Sequence, residues 1–210
     1  MFFQLCRFNY YVRFAVVKTQ DIISYFDSKA ESWDSMPHDP LLVNRILDMA
    51  LNQNSKRVLD VACGTGVLFP FFLERGIEDI TAIDFSNGML AVARRKFNGE
   101  KHINLICSDA TTYCFDGMFD SIIVYNAFPH FQDPQALLSN LVSHLERGGL
   151  LTIAHSAGRD ELNRFHKEHS CPVSLALPAA EDVALMMGKH LSIKHVVSEE
   201  HLYLVSGEKS

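Results

Sequence analysis

The pattern of apolar and polar residues divides most of the chain into two kinds of segment. Short, mostly apolar runs predict buried strands, and segments with apolar residues every three or four positions predict helices. The predicted strands are residues 57–62, 79–84, 103–110, 119–127, 150–156, 191–197 and 201–207. The predicted helices are residues 20–34, 41–51, 67–76, 87–97, 134–146, 160–169 and 179–189.

The order of these segments predicts the fold class. Strands and helices alternate as far as residue 156, which favours a parallel sheet with helices on both faces. The last two predicted strands are separated only by Ser198, Glu199 and Glu200. Because so short a link joins antiparallel neighbours, we expect an α/β fold that ends in an antiparallel pair.

The first 17 residues do not follow this pattern. They carry six aromatic residues, and Arg7 and Arg13 interrupt the apolar stretch. No Ala-x-Ala cleavage site follows, so a signal peptide is not expected. Three interpretations stay open: a further strand or helix packed on the domain, an interfacial membrane anchor, or a poorly ordered extension. We therefore separate an N-terminal extension, residues 1–18, from a domain of residues 19–210.

Composition narrows the class of protein. The 210 residues are 48% hydrophobic and 21% charged, which is typical of a globular domain. The net charge of −6, without a Lys/Arg-rich run, makes nucleic-acid binding an unfavoured function. No uncharged apolar run reaches ~18 residues, so no integral membrane span is expected. Five scattered cysteines without a Cys-x-x-Cys pair indicate reduced thiols and a cytoplasmic protein.

Residues suited to ligand binding follow the first five predicted strands. In an open parallel sheet, ligands bind beyond the carboxyl ends of the strands, where the strand order reverses. In chain order these residues are Asp60, Ala62, Gly64 and Gly66 after the first strand, Asp84, Asp109, Asn126, and His155 after the fifth. We therefore expect one binding site at this edge.

The carboxylates indicate which ligand the site prefers. A dinucleotide loop has the pattern Gly-x-Gly-x-x-Gly, but position 69 is Phe. Asp60 precedes the glycines, and a carboxylate there suits a cationic group better than a pyrophosphate. Asp84 is placed to bind ribose hydroxyls, and Asp109 to accept from an exocyclic amine. A lone Asp after a strand often only caps a helix, but three at successive strand ends favour a shared site.

The motifs VLDVACGTG, ITAIDFS and CSDA, in this order and spacing, resemble those of class I S-adenosylmethionine-dependent methyltransferases. The resemblance covers about residues 20–207. It implies a doubly wound, Rossmann-like, seven-stranded sheet that is mostly parallel with an antiparallel last strand. It also implies S-adenosylmethionine as the cofactor and a small-molecule methyl acceptor. We expect a monomer or homodimer. The family often has Gly where this chain has Ala62.

The resemblance also implies which residues bind the cofactor. YFDSKAESWD, residues 25–34, resembles the helix before the first strand in the ubiquinone/menaquinone C-methyltransferase-like branch, where Tyr25 and Trp33 would help to close the pocket. The other implied cofactor-binding residues are Asp60, Ala62, Cys63, Gly64, Gly66, Asp84, Phe85, Asp109, Ala110 and Asn126. Cys63 is expected to act as a small apolar residue and not as a nucleophile.

The residues of the acceptor site are predicted from the chain itself. His155 follows an apolar strand, and Arg159, Asn163 and His166 share one helix face. We predict His155 as the general base, with His166 or His130 as alternates, and Arg159 as the partner of an anionic acceptor. Asn163 would join the acceptor site. The alternative is that these four residues form only a solvated helix face and turn.

The segment FPHFQD, residues 128–133, supplies a predicted wall for the acceptor. Phe128 and His130 would contact it, although the phenylalanines equally suit packing against the next helix. His155, His166, His169 and Cys171 lie near one another in sequence, but no second paired motif is present, so no metal is expected.

The predicted activity is methyl transfer from S-adenosylmethionine to a small molecule. Two alternatives stay open. One is a non-catalytic partner or regulatory subunit that binds the cofactor, and the other is a nicotinamide-dependent oxidoreductase. The missing third glycine and the acid before the loop argue against the oxidoreductase.

Overall fold

Seven strands form one sheet in the computed structural model, which describes residues 18–35, 38–168 and 173–210. The strands are β1 (Arg57–Val61), β2 (Asp79–Asp84), β3 (Ile103–Cys107), β4 (Phe119–Tyr125), β5 (Leu145–His155), β6 (Ser192–Ser198) and β7 (Tyr203–Glu208). Their order across the sheet is β3-β2-β1-β4-β5-β7-β6. Strands β1 to β5 are parallel, and β7 runs antiparallel to both β5 and β6. The predicted fold class is therefore confirmed.

Seven α-helices and two short 3₁₀ segments accompany the strands in the described residues. The helices are α1 (Thr19–Lys29), α2 (Pro40–Ala50), α3 (Phe69–Glu74), α4 (Asn87–Lys96), α5 (Pro134–Ser143), α6 (Arg159–Glu168) and α7 (Ala180–Met187). The 3₁₀ segments are Ala30–Ser35 and Phe128–His130. None of these helices is long and apolar enough to cross a bilayer. Residues 1–17 lie outside the described residues, so the role of the predicted extension stays a prediction.

Apolar side chains bury both faces of the sheet. On one face α5 and α7 pack through Leu137, Leu141 and Val183. On the other face α2 and α3 pack through Leu47 and Phe69. Each such buried side chain stabilises the fold by roughly 1.5–3 kcal/mol. The two layers do not cover the carboxyl ends of β1 and β4. These strands lie side by side at the centre of the sheet, and their ends face a crevice.

Two predicted boundaries are wrong. The predicted helix 20–34 is α1 followed by a 3₁₀ segment. The predicted helix 134–146 ends at Ser143, and β5 begins at Leu145 instead of residue 150. Gly148 and Gly149, which resemble a helix stop in the sequence, lie within this strand. Gly148 N donates to Lys209 O at 2.7 Å, and Lys209 N donates to Gly149 O at 3.0 Å. A Cβ on Gly149 would lie 2.9 Å from the Asp120 carbonyl oxygen, so glycine permits this close approach.

Candidate functional site

A cavity of about 440 Å³ opens at the carboxyl ends of β1 to β4. Its described walls include ten of the predicted cofactor-binding residues. They are Trp33, Asp60, Ala62, Cys63, Gly64, Asp84, Phe85, Asp109, Ala110 and Asn126. Four strands thus bring residues that are distant in sequence to one site, as expected for the point where the strand order reverses.

The glycine loop after β1 turns through three left-handed residues. Ala62, Gly64 and Gly66 have φ angles of 55°, 55° and 83°. A Cβ on Gly66 would lie 2.6 Å from the Phe69 ring and 2.9 Å from the Phe97 ring, so this glycine permits tight packing of the loop against α3. Gly66 does not line the cavity, and its predicted contact with the cofactor is corrected to this packing role. Ala62 holds a conformation that glycine adopts more easily.

Asp84 joins the loop to the second strand. Its Oδ2 accepts a hydrogen bond from Gly64 N at 2.8 Å, and its Oδ1 accepts from Ser86 N at 2.8 Å. Burial raises the pKa of this carboxyl to about 6 although both hydrogen bonds lower it. A carboxylate has about four lone-pair positions, so Asp84 retains the capacity to accept from two ligand hydroxyls.

Asp60 is the other buried carboxylate of the cavity. It is 2% exposed, and its Oδ2 has no hydrogen-bond partner among the described residues. Burial raises its pKa well above the usual range, and the charge of Asp84 raises it further. A buried acceptor without a partner is costly, so this side of the cavity is suited to a ligand that carries a donor or a positive charge.

Asp109 has a structural partner as well as a place in the cavity wall. Its Oδ1 accepts from Thr111 N at 2.8 Å and from the Thr111 hydroxyl at 2.7 Å. It therefore caps the turn after β3, as the alternative interpretation of an isolated Asp expected. The two functions are compatible because the capped turn fixes the carboxyl at the cavity.

The cavity is covered by α1 and the 3₁₀ segment that follows it. Phe26 lies at the centre of this cover, edge-on to Trp33 at 5.6 Å and to His130 at 4.9 Å between ring centres. Tyr25 packs edge-on to Phe26 at 5.3 Å and does not line the cavity, so its predicted closing role is indirect. Asp27 Oδ1 accepts from the Ser86 hydroxyl at 2.6 Å, which ties the cover to the start of α4.

His130 is the predicted acceptor-site residue that does line the cavity. Its Nδ1 lies 3.3 Å from the Val173 carbonyl oxygen and 3.1 Å from Ser174 Oγ. A carbonyl only accepts, so Nδ1 carries the proton and Nε2 has the free lone pair. Burial lowers the pKa of His130 to about 4, which keeps the ring neutral at pH 7.

The predicted polar face of His155, Arg159, Asn163 and His166 does not line the cavity. Arg159 Nε and Asn163 Nδ2 both donate to the Leu177 carbonyl oxygen, and Leu177 N donates to Asn163 Oδ1 at 2.7 Å. This face therefore fastens α6 to the segment before α7, because the Leu177 peptide group needs partners there. Neither residue lines the cavity, so the predicted roles of Arg159 with an anionic acceptor and of Asn163 in acceptor binding stay predictions.

His155 and His166 lie behind the cavity. His155 is 1% exposed and packs edge-on to Tyr203 at 5.8 Å between ring centres. Burial lowers its pKa to about 3. The ring does not line the cavity. The His166 ring is 6.1 Å from the His130 ring. Neither residue lines the cavity, so their predicted contact with the reacting atoms stays a prediction.

Phe128 is also corrected. It is 2% exposed and packs in the core formed with α5 and α7, while Phe131 of the same segment lines the cavity. Among the described residues no group of three or more His, Cys, Asp or Glu side chains is arranged to hold a metal ion. His169 and Cys171, which entered the metal alternative, lie outside the described residues.

A segment of the chain that includes much of the cavity matches a known protein family. Residues 58–149, which run from the first strand through the glycines of β5, match the family described as methyltransferase domain. The matched segment resembles a methyltransferase domain, and the relatives described below are also named methyltransferases. The match covers the glycine loop and the residues that line the cavity from β1 to β4.

The relatives that this chain matches are named for different methyl acceptors. This chain is 33% identical over 135 residues to a malonyl-[acyl-carrier protein] O-methyltransferase of Acetivibrio thermocellus. The matched part covers 62% of this chain and 47% of that protein. It is 36% identical over 112 residues to a demethylmenaquinone methyltransferase of Thermus thermophilus. The matched part covers 52% of this chain and 51% of that protein. The matched part thus spans about half the length of each relative.

A solved structure supports the fold of the chain. The N-methyltransferase NodS of Bradyrhizobium japonicum, in complex with S-adenosyl-L-homocysteine, superposes with a TM-score of 0.70 over 90% of this chain and 97% of its own. Its sequence identity is 18%, so this likeness concerns the fold.

Sequence reasoning missed several residues of the cavity wall, among them His38 and Tyr125. His38 lies just before α2, and Tyr125 is the last residue of β4. Tyr125 directly precedes the predicted Asn126, so its place at a strand end was a usable signal. His38 lies in a connection whose path the hydrophobic pattern does not define.

Acidification is expected to destabilise this protein through His155. Its pKa is about 3 in the folded protein and about 6.5 in an unfolded chain. Below pH 6.5 the unfolded chain therefore binds a proton that the folded chain does not, and about 2 kcal/mol of stability is lost between pH 7 and pH 5. The raised pKa values of Asp60 and Asp84 act in the opposite direction.

The comparison with His155→Phe isolates this contribution, because a phenyl ring preserves the packing against Tyr203. Urea unfolding of both proteins at pH 7 and pH 5 gives the measurement. The wild type is expected to lose about 2 kcal/mol more than the variant over this interval. The same pH dependence in both proteins would show that His155 is not held neutral by burial.

Proposed function

We propose that this protein transfers a methyl group from S-adenosylmethionine to a small-molecule acceptor. The observation that supports this most directly is the buried Oδ2 of Asp60, without a described partner, in the same cavity as Asp84 and Asp109. A ligand that carries positive charge at one end and ribose hydroxyls at the other complements these carboxylates.

The residues present fit this cofactor. Asp84 would bind the ribose hydroxyls, Phe85 and Ala110 would flank the adenine, and Asp109 would face its amine. Asp60 and the glycine loop would hold the methionine part. A nicotinamide dinucleotide fits less well, because its pyrophosphate would approach the buried carboxylates of Asp60 and Asp84. When bound, the cofactor supplies a methyl group made electrophilic by the sulfonium.

The protein's own contribution is to position the reactants and exclude water. Phe26 and Trp33 cover the cavity with apolar rings. His130 presents Nε2 as a proton acceptor, since Nδ1 is bound to the Val173 carbonyl. For a hydroxyl, amine or thiol acceptor, Nε2 would take the proton as the new bond to carbon forms. We propose His130 as this base in place of His155 and His166.

The setting of the reaction is part of the proposal. The cysteines Cys63, Cys107 and Cys114 are free thiols, which fits a reducing compartment such as the cytoplasm. We propose that the protein acts there on a diffusible acceptor as a monomer or homodimer. The two relatives described above are named for malonyl-[acyl-carrier protein] and for demethylmenaquinone, and this difference defines the acceptors to be tested first.

A methyl-transfer assay tests the proposal. The full-length protein is incubated with S-adenosylmethionine labelled in the methyl group and with a panel of carboxylate, phenol, amine and thiol acceptors. Label is expected in at least one acceptor class, with S-adenosylhomocysteine formed in equal amount. Cofactor binding without transfer to any acceptor would favour the non-catalytic alternative. Binding of NAD without S-adenosylmethionine would favour the oxidoreductase.

A further inference from the structure

Four aspartates supply the charge of the cavity wall in the described part of the chain. They are Asp60, Asp84, Asp109 and Asp133, and no described Lys or Arg side chain lines the cavity. Asp60 and Asp84 are buried, whereas Asp109 and Asp133 are exposed. Two carboxylates therefore lie deep in the cavity, and two lie where it meets the solvent.

The histidines of this wall add no positive charge to it. Burial lowers the pKa of His130 to about 4 and also lowers the pKa of His38, so both rings are neutral at pH 7. Lys96 contacts the cover of the cavity, but its Nζ is paired with Asp34 Oδ2 at 2.7 Å. The charge that the described wall presents to a ligand is therefore negative.

Asp133 is the carboxylate of this set without a proposed role toward the cofactor. It ends the segment 128–133, which also contributes His130 and Phe131 to the cavity wall. Its Oδ1 accepts from Ala136 N at 2.9 Å and so caps α5. A carboxylate has about four lone-pair positions, so Asp133 retains the capacity to accept from a ligand.

The turn that Asp109 caps is in contact with the same helix. Asn140 of α5 donates to the carbonyl oxygens of Ala110 and Tyr113, both at 2.9 Å. The two exposed carboxylates, Asp109 and Asp133, are thus carried by elements that touch each other. A cleft lined by charge of one sign concentrates ligands of the opposite sign, so this cavity favours the entry of cations.

Aromatic rings line the cavity together with these carboxylates. Phe26, Trp33 and Phe131 belong to its wall, and Phe26 packs edge-on to both Trp33 and His130. The face of an aromatic ring attracts a cation, and its apolar surface suits the hydrocarbon part of a ligand. The wall thus combines two features that favour an organic cation over an anion.

Resting on the proposed function, we infer that the methyl acceptor is an organic amine, which enters the cavity as an ammonium ion between the aromatic rings and Asp133. The ammonium loses one proton to His130 and then to water, which a neighbouring sulfonium favours as a like charge. The nitrogen lone pair then forms the bond to the methyl carbon as the carbon–sulfur bond breaks, and that electron pair stays on sulfur. The products are a methylated ammonium ion, S-adenosylhomocysteine and the released proton.

Three ligands of similar shape separate the charge preferences. Phenethylamine is a cation at pH 7, phenethyl alcohol is neutral, and hydrocinnamate is an anion. Calorimetry with each ligand is carried out on the full-length protein saturated with S-adenosylhomocysteine, at low and at high ionic strength. The proteins are the wild type, Asp133→Asn, which keeps an oxygen that can cap α5, and the matched control Asp116→Asn. The control removes the same charge at an exposed position outside the cavity wall.

The wild type is expected to prefer the cation. At low ionic strength it should bind phenethylamine roughly tenfold or more tightly than hydrocinnamate, and salt should reduce this difference. Asp133→Asn should weaken the binding of phenethylamine by about two- to fivefold, the effect of one exposed charge pair. The same variant should bind phenethyl alcohol with unchanged affinity, and Asp116→Asn should behave as the wild type with all three ligands.

Binding of hydrocinnamate as tightly as phenethylamine, or binding of none of the three ligands, would overturn the inference. Unchanged phenethylamine affinity in Asp133→Asn would also overturn it. So would equal losses for phenethylamine and phenethyl alcohol, because a residue that only supports the wall affects both. In the methyl-transfer assay, label in the carboxylate class with none in the amine class would overturn the inference and leave the proposed function intact. A wild type that does not bind S-adenosylhomocysteine would instead refute the proposed function.

Discussion

The variant His130→Phe is expected to transfer methyl groups roughly 10²–10⁴-fold more slowly than the wild type, the usual loss when a general base is removed. The phenyl ring preserves the edge-on packing against Phe26 but has no nitrogen lone pair to accept a proton. Cofactor affinity should change little, because the proposed cofactor contacts do not include this ring. Initial rates with a responsive acceptor and calorimetry with S-adenosylhomocysteine measure the two quantities separately.

His155→Phe is the matched control for this prediction. Its ring lies behind the cavity against Tyr203, so its turnover per folded molecule should resemble that of the wild type. A large loss of turnover in His155→Phe with normal rates in His130→Phe would contradict the assignment of the base. Comparable rates in all three proteins would show that the acceptor reacts without a histidine base.

The variant Asp84→Ala is expected to bind S-adenosylmethionine about 1–3 kcal/mol more weakly, the cost of leaving ligand hydroxyls without their acceptor. The structure adds a second reason. Asp84 holds Gly64 N of the glycine loop, so its removal also frees the loop that borders the cofactor. Calorimetry with S-adenosylmethionine gives the loss directly.

Asp84→Asn distinguishes the two contributions. An amide keeps one acceptor oxygen and loses the negative charge, so it preserves part of the bonding to Gly64 and Ser86. We expect an intermediate affinity, with a smaller change in thermal stability than in Asp84→Ala. Unchanged cofactor affinity in both variants would remove Asp84 from the site.

The strands and the class of fold were predictable because their signal is local. Runs such as residues 57–62 and 119–127 are apolar enough to be buried on both faces, and each is followed by a helix. The boundary errors have a non-local cause. Gly148 and Gly149 resemble a helix stop, but the backbone of Lys209, distant in sequence, pairs with them and extends β5. No pattern within residues 134–149 contains that information.

The cofactor side of the site was predictable from local signals in the sequence, and the acceptor side was not. The glycine loop, Asp84 and Asp109 follow successive strand ends, and a parallel sheet brings such ends together whatever the loops do. The acceptor side depends on how α6 packs. Arg159 and Asn163 share a face as predicted, but the Leu177 peptide group occupies both of them. His155 ends its strand on the side covered by Tyr203, which the sequence alone does not reveal.

Parallel titration of the wild type with S-adenosylhomocysteine and with NAD tests the central claim most directly. Asp60 and Asp84 lie in the cavity where the ligand's methionine and ribose would bind, and a pyrophosphate would meet the same two carboxylates. Saturable one-to-one binding of S-adenosylhomocysteine without binding of NAD is the predicted result. Binding of NAD in preference to S-adenosylhomocysteine would contradict the account.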